Sequence, residues 1–139
     1  MTELLTDPTA LRDRYGKVGE RAAQKQLDRL DQHCRRFIAL SPFMVMATAD
    51  AQGRCDASPK GDAQGFVHVA DPKTLLIPDR IGNNRVDSLQ NIVANPQIGL
   101  LFFLPGYQET LRVNGRARIS TEPALLAMTA HAGRPPKSV

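Results

Sequence analysis

Apolar positions recur at helical spacing up to residue 40, switch to runs and alternations over residues 43–120, and return to helical spacing near the end. In the first part, Asp7-Pro8 pairs a capping carboxylate with a proline suited to the first helical position, and predicts a short helix ending near Gly16. Residues 20–30 read as a second, mostly polar helix. Asp31 can cap a third, in which Leu30, Cys34, Phe37, Ile38 and Ala39 form an apolar stripe that stops at Ser41-Pro42. These helices are expected to pack across the β region.

From Phe43 the run FMVMATAD is apolar almost throughout, and Ala51-Gln52-Gly53 predicts a hairpin turn into RCDASPKGD. In that second strand Arg54, Asp56 and Ser58 alternate with Cys55 and Ala57, and Pro59-Lys60-Gly61 is expected to break the ladder. Residues 66–69 and 74–77 predict another strand pair around Asp71-Pro72. QIGLLFFLPG is the most apolar strand. The strand after it, ETLRVNGRARIS, alternates: Leu111, Val113, Ala117 and Ile119 face one side, and Thr110, Arg112, Asn114, Arg116 and Arg118 the other. Glu122-Pro123 opens a last helix through Met128, and HAGRPPKSV reads as coil.

Between the fourth and fifth strands, residues 77–96 pass from an apolar strand end through a polar glycine turn into a helix over 85–95. Val86, Leu89, Ile92 and Val93 carry its apolar spacing, and Asn95-Pro96 stops it. Asn83 or Asn84 can serve as N-cap, and the free N–H groups together with the helix dipole favour a phosphate there. Arg85 and Ser88 would sit in the first turn. An arginine is unfavourable beside the positive end of the dipole, so Arg85 either meets an incoming anion or pairs with Asp79 or Asp87. The whole pattern predicts a mainly β fold with flanking helices: a six-stranded antiparallel barrel in one domain over 1–139, with N-terminal helices in 1–40, strands in 43–120 and a C-terminal helix in 122–131.

Composition narrows the ligand. The chain has 139 residues, 42% of them hydrophobic, enough for one core and too few for two ordinary domains. Its 18 Lys+Arg against 14 Asp+Glu leave a net charge of +4. Acidic residues are interspersed, no basic run exceeds Arg35-Arg36, and aromatics are 5% with no tryptophan, which disfavours nucleic acid and leaves a small anionic ligand or a solvated surface. No apolar segment has the length of a signal peptide or a membrane span, so a soluble cytoplasmic protein is expected. Cys34 and Cys55 lack metal-ligand spacing and read as reduced thiols. His33, His68 and His131 are scattered, and no metal site is expected.

Three polar clusters could carry chemistry: Arg54/Ser58/Lys60, Arg85/Ser88 with Asn83 and Asn84, and Thr110/Arg112. The first two offer cations beside a hydroxyl, which suits a phosphate monoester because arginine forks onto two oxygens while lysine and serine add a charge and a further bond. No nucleophile elbow, zinc-binding helix, P-loop or Cys-x-x-Cys is present. His68 reads as structural or exposed. An enzyme built on this sequence would need a cofactor to supply its reactive centre.

The combination of Ser41-Pro42-Phe43 before ATAD, R-C-D-A-S-P-K-G, L-I-P-D-R-x-G-N-N-R-x-D-S-L-x-N-I, N-P-x-I-G-L-L-F and T-L-R-V-N-G-R-A resembles the pyridoxamine 5'-phosphate oxidase-like FMN-binding split barrels, and more narrowly their bacterial FMN-dependent flavoproteins. The resemblance runs from about Leu30 to Ala127. It implies a homodimer with FMN in two clefts between subunits. The flavin and its phosphate would be contacted by Arg54, Asp56, Ser58, Pro59, Lys60 and Gly61, by Pro78, Asp79, Asn83, Asn84, Arg85 and Ser88, and, on the ring side, by Thr110 and Arg112. The implied activity is that of an FMN-dependent oxidoreductase on an unidentified small substrate, with no catalytic acid or base marked. The alternatives are a non-catalytic flavin-binding, storage or sensor module, or a deazaflavin- or haem-binding relative, where haem would need an axial residue such as His68 or His131. Similar members continue past the last helix into a further helix and closing strand; their absence here would leave either a barrel closed without them or a shortened chain with an exposed edge. The substrate-binding Arg/His segment of pyridoxamine-phosphate oxidases is also missing, which points away from that substrate.

Overall fold

Sheet formation starts at a serine. The computed structural model describes residues 4–80 and 86–139. Ser41 is 1% exposed, and its hydroxyl lies 2.8 Å from the Phe43 carbonyl and 2.6 Å from that of Phe103. Its single proton serves one of the two at a time, and the contact pins the end of α3 (Gln32–Leu40) to the first residue pair between β1 (Phe43–Ala49) and β5 (Gln97–Phe103). β1 pairs on its other edge with β2 (Cys55–Gly61), and β5 with β6 (Thr110–Arg116), all antiparallel, giving the order β2-β1-β5-β6. β3 (His68–Asp71) and β4 (Thr74–Leu76) form a separate two-stranded sheet.

Among the described residues there are six strands, but they form a four-stranded and a two-stranded sheet, where the sequence predicted one hydrogen-bonded barrel. The two sheets are joined at one end by the tail. The Asp79 N–H donates to the Ser138 carbonyl (2.9 Å) and Lys137 N–H to the Asp79 carbonyl (3.0 Å), while Ser120 and Val139 exchange both backbone bonds (2.7 and 2.9 Å). Residues 137–139 are thus paired on both sides, and the expectation of coil fails there because backbone pairing leaves no periodicity in side-chain type. Pro59-Lys60-Gly61 also continues the ladder, opposite Val45, Met44 and Phe43. Proline is tolerated because β2 is an edge strand, where a missing N–H need not interrupt the sheet.

Register places the core. Met44 and Met46 of β1, Leu100 and Phe102 of β5, and Leu111 and Val113 of β6 share the inner face, with Phe102 and Met44 fully buried. Leu30, Phe37 and Ile38 of the α3 region and Phe66, Val67 and Ile92 complete the cluster. α4 (Asp87–Ala94) packs on β1: Asn91 Nδ2 donates to Thr48 Oγ1 at 3.0 Å, and Asn95 Nδ2 to the Asp50 carbonyl at 3.3 Å. α5 (Pro123–Met128) follows β6. α3 packs on β3, and Leu30 N–H donates to the Pro72 carbonyl at 2.7 Å.

The other two N-terminal helices do not pack as expected. α1 (Pro8–Tyr15) and α2 (Glu20–Gln24) bury no side chain, and α2 is shorter than residues 20–30. Their polar composition gives them too little apolar surface to hold a helix against the sheet. α1 is held locally, by Asp7 accepting from the Thr9 N–H at 3.1 Å and by the Arg12 side chain donating to the Gly16 carbonyl at 2.7 Å.

Gly65 marks the tightest backbone approach. It has φ +74°, donates its N–H to the Ser41 carbonyl, and a Cβ there would lie 2.7 Å from the Ala39 carbonyl oxygen. Gly65→Ala should cost about 2 kcal/mol or more, combining the left-handed backbone penalty with the clash. Urea unfolding of the two proteins will read this as a lowered midpoint at unchanged slope.

Candidate functional site

β2 is the edge strand whose inner face is polar. Asp56, Ser58 and Lys60 stand opposite Thr48, Met46 and Met44, so they point to the side on which β1 buries its core. No strand lies beyond β2, and this face opens into a cleft of about 560 Å³. Along one wall run Asp56, Ser58, Pro59, Lys60 and Gly61. Pro78, Asp79 and Arg80 from the segment after β4, and Val86, Asp87 and Ser88 from the start of α4, form the other. Eight of the residues named from sequence therefore meet in one place: Asp56, Ser58, Pro59, Lys60, Gly61, Pro78, Asp79 and Ser88. Asn83, Asn84 and Arg85 lie outside the described residues.

Three named residues go elsewhere. Arg54 precedes β2, and its Nε donates to Asp50 Oδ2 at 2.6 Å. Asp50 also accepts from the backbone N–H groups of Gln52 and Arg54, both at 2.9 Å, so the arginine belongs to the hairpin turn. Thr110 and Arg112 stand opposite Phe103 and Leu101, on the outer face of the four-stranded sheet and away from the cleft. The alternation in β6 is as predicted, but its polar side turns out to be the face opposite Ser58 and Lys60.

The start of α4 also differs from the expectation of an asparagine cap. The N-cap residue is Val86, at φ 49°, and its own side chain makes no capping hydrogen bond. A β-branched residue is costly in the left-handed region. The first turn of α4, with Asp87 and Ser88, borders the cleft. Ser88 is 5% exposed, and its hydroxyl makes no hydrogen bond among the described residues.

Three charged residues of the cleft, Asp62, Arg80 and Lys137, were passed over in the sequence. Arg80 Nε donates to Asp62 Oδ2 in a short contact, and both side chains are mostly enclosed. Burial pushes the Asp62 pKa up, but the Ala63 N–H, the Arg80 guanidinium and nearby His131 outweigh it and leave the carboxyl below its ordinary value. Arg80 was legible in the P-D-R of the turn; Lys137, which also lines the cleft, sits in the tail that carries no pattern. The described cleft thus holds Lys60, Arg80 and Lys137 among Asp56, Asp62, Asp79 and Asp87, with Arg80 committed to Asp62. Among the described residues no group of His, Cys, Asp and Glu is arranged to hold a metal ion.

The family model for pyridoxamine 5'-phosphate oxidase matches residues 30–138. The chain belongs to that family. In fold it is similar to HupZ of Group A Streptococcus, with TM-score 0.62 and 23% identity over 78% of this chain and 83% of that one. A Lactobacillus delbrueckii protein provisionally named a pyridoxamine 5'-phosphate oxidase aligns at TM-score 0.62 and 18% identity, over 81% and 87%. HutZ, the haem storage protein from Vibrio cholerae, aligns at 0.50 and 18%, over 72% of each chain. At these identities the likeness is one of fold. No curated protein matches the sequence.

The depressed Asp62 pKa carries a stability signature. Its contribution is present above the unfolded carboxyl pKa of about 3.9 and is lost as pH falls through the lower folded value. The stability advantage of the wild type over Asp62→Asn should therefore be constant from neutral pH down to about pH 4 and shrink below it. Urea midpoints measured across pH 2–7 check this.

Proposed function

We propose that this chain binds FMN in the Ser58/Lys60/Ser88 cleft and acts, as a homodimer, as an FMN-dependent oxidoreductase on a small organic substrate. One observation supports this above the others. Ser58, Lys60 and the first turn of α4 with Ser88, read separately from the sequence as anion-binding groups, line one cleft of about 560 Å³ in a chain of the pyridoxamine 5'-phosphate oxidase family. That volume lies in the range of small-molecule sites. The fit to a phosphate monoester rests on donors: the Ser58 and Ser88 hydroxyls, the Lys60 ammonium and the N-terminal end of α4. Arg85, Asn83 and Asn84 would join them from the preceding turn. Asp56 and Asp79 would keep the anion to the lysine side by repulsion and accept hydrogen bonds from neutral parts of the ligand. When bound, flavin supplies the hydride and electron chemistry; the chain supplies binding, placement and exclusion of water.

The sheet's other face supports the homodimer. Phe43, Val45 and Ala47 of β1 and Leu101 and Phe103 of β5 share it, and Phe43 is 37% exposed and Ala47 exposed there. Thr110 and Arg112 stand beside these residues. A second copy packed on this surface would bring them to a partner's cleft, which accounts for their distance from the cleft of their own chain. The six strands would then form the split barrel of the family. The two free cysteines, Cys34 and Cys55, fit a reducing cytoplasm.

A flavin-binding module without turnover is the second reading, because Asp62, the carboxyl whose pKa is shifted in the cleft, is already engaged by Arg80. A haem ligand, as in HutZ, has less support: His68 does not line the cleft, and His131 approaches only through its effect on Asp62.

A flavin spectrum of the purified protein and FMN titration of the apoprotein test the first reading. Lys60→Ala should weaken FMN binding about tenfold to a hundredfold, the cost of losing a charge-assisted hydrogen bond. FMN bound with equal strength by wild type and Lys60→Ala would refute the assignment. Sedimentation tests the dimer: Leu101→Lys should give a monomer and lose FMN affinity together, whereas a monomeric wild type that binds FMN tightly would exclude the shared cleft.

A further inference from the structure

The tail enters the space between the two sheets in the manner of a strand. Ser138 pairs antiparallel with Asp79 on one side, and Val139 exchanges both backbone bonds with Ser120 on the other, at 2.7 and 2.9 Å. Successive residues of a strand turn their backbone groups to opposite edges, so the tail has the pairing of an inner strand. Beyond it, its two neighbours continue with nothing paired between them. β4 has β3 on one edge only, and β6 has β5 on one edge only. Their other edges face each other across a half-open groove lined by the consecutive residues 74–79 and 113–120, with Val139 at its end. Alternation from Asp79 and Ser120 turns the backbone groups of Ile77 and Leu75, and of Arg118 and Arg116, toward this groove. Neither Ile77 nor Arg118 makes a backbone–backbone hydrogen bond among the described residues.

Two facing edges, already bridged at one end by backbone paired to both, define the occupant. One strand can be added to the two edges at once, recognised mainly through its backbone. Register then assigns its side chains. Counted along the groove from Val139, the first position lies between Ile77 and Ile119 and the third between Leu75 and Ala117, all four half-buried and packed against the core cluster. The second and fourth positions lie beside Arg118 and Arg116, which are exposed on the outer face of the sheet. Neither arginine is in an ion pair among the described residues. Apolar residues suit the first and third positions, and acidic residues the second and fourth, because opposite charges directly across a strand pair stabilise it. We propose that the groove takes an extended peptide partner, a single strand antiparallel to β4 and β6 that alternates apolar residues inward with acidic residues outward. This goes beyond the flavin reading and does not depend on it.

Calorimetric titration of the intact chain with a soluble octapeptide of four Val-Glu repeats tests the proposal. One saturable site per chain is expected, with the octapeptide of four Val-Lys repeats about tenfold weaker, the fold-change of opposed charge pairs turned from attraction to repulsion. Arg116→Glu combined with Arg118→Glu, changes at exposed positions, should reverse that preference and leave FMN affinity unchanged. N-methylation of every second residue of the Val-Glu octapeptide removes its backbone donors toward one edge and should abolish binding, whereas apolar adhesion alone would survive it. No saturable binding to the wild type, equal binding of the two octapeptides, an unchanged preference in the double variant, or binding that survives N-methylation would each overturn the proposal. So would self-association of the wild type that the Val-Glu octapeptide competes away, because the groove would then belong to a second copy of the chain.

Discussion

Strand β1 pairs along both edges, and its register decides what three neighbouring strands present to each side of the sheet. Met44, Met46 and Thr48 point inward, so Lys60, Ser58 and Asp56 do so on β2, and Phe102 and Leu100 on β5. A slip of one residue would exchange the two faces of a strand. Here it would turn the Pro59 and Ala57 side chains inward and the lysine outward. Burial of Met44 and Phe102 resists that slip, and the Ser41 hydroxyl holds the Phe43–Phe103 end of the pairing in place. The position of the polar cleft is therefore a consequence of apolar packing on the next strand.

A polar inner face on β2 carries a cost. Burying Ser58 and Lys60 in a closed core would leave hydroxyl and ammonium groups without partners, at a penalty of some kcal/mol each. The edge position avoids this, since the face opens to a cleft and both residues stay half-exposed. The opposite wall shows a similar compromise. Val86 takes a left-handed conformation, worth about 1–2 kcal/mol of strain, and as the N-cap residue of α4 it has no polar side chain to offer the first turn. The Arg80–Asp62 pair and the Asn91–Thr48 hydrogen bond fix the elements on either side of that strained junction. Strain that neighbouring contacts maintain is a common property of binding sites.

Much of this was legible in the sequence, and what was missed has physical causes. Alternation in β6, the apolar character of β1 and β5, the Asp31 cap and the Asn95-Pro96 stop are local properties, and they read directly. The meeting of Ser58 and Lys60 with Ser88 was inferable only as a convergence, because residues about 30 positions apart are brought together by pairing rather than by spacing. Arg54 was misread because a strand alternation was extended one residue too far, into a turn where Asp50 is the nearer acceptor. Thr110 and Arg112 were assigned to the site without a means of telling which face of β6 is which; that depends on the β5 register. The tail was read as coil because a two-sided backbone clasp at Lys137 to Val139 makes no demand on side-chain type.

That clasp also explains how a polar cleft and a second groove coexist in so short a chain. Residues 137–139 pair with Asp79 on one side and Ser120 on the other, joining the two sheets at a single end. Lys137 faces the cleft and Val139 the groove, so one three-residue segment borders both. Away from it, the β4 and β6 edges are held apart, and the apolar side chains between them remain half-buried. Contact across that gap would bury them, worth roughly 25 cal/mol per Å². The four-stranded sheet packs instead against α4 and the two-stranded sheet against α3, and it is there that Phe37, Ile38 and Ile92 join the buried core.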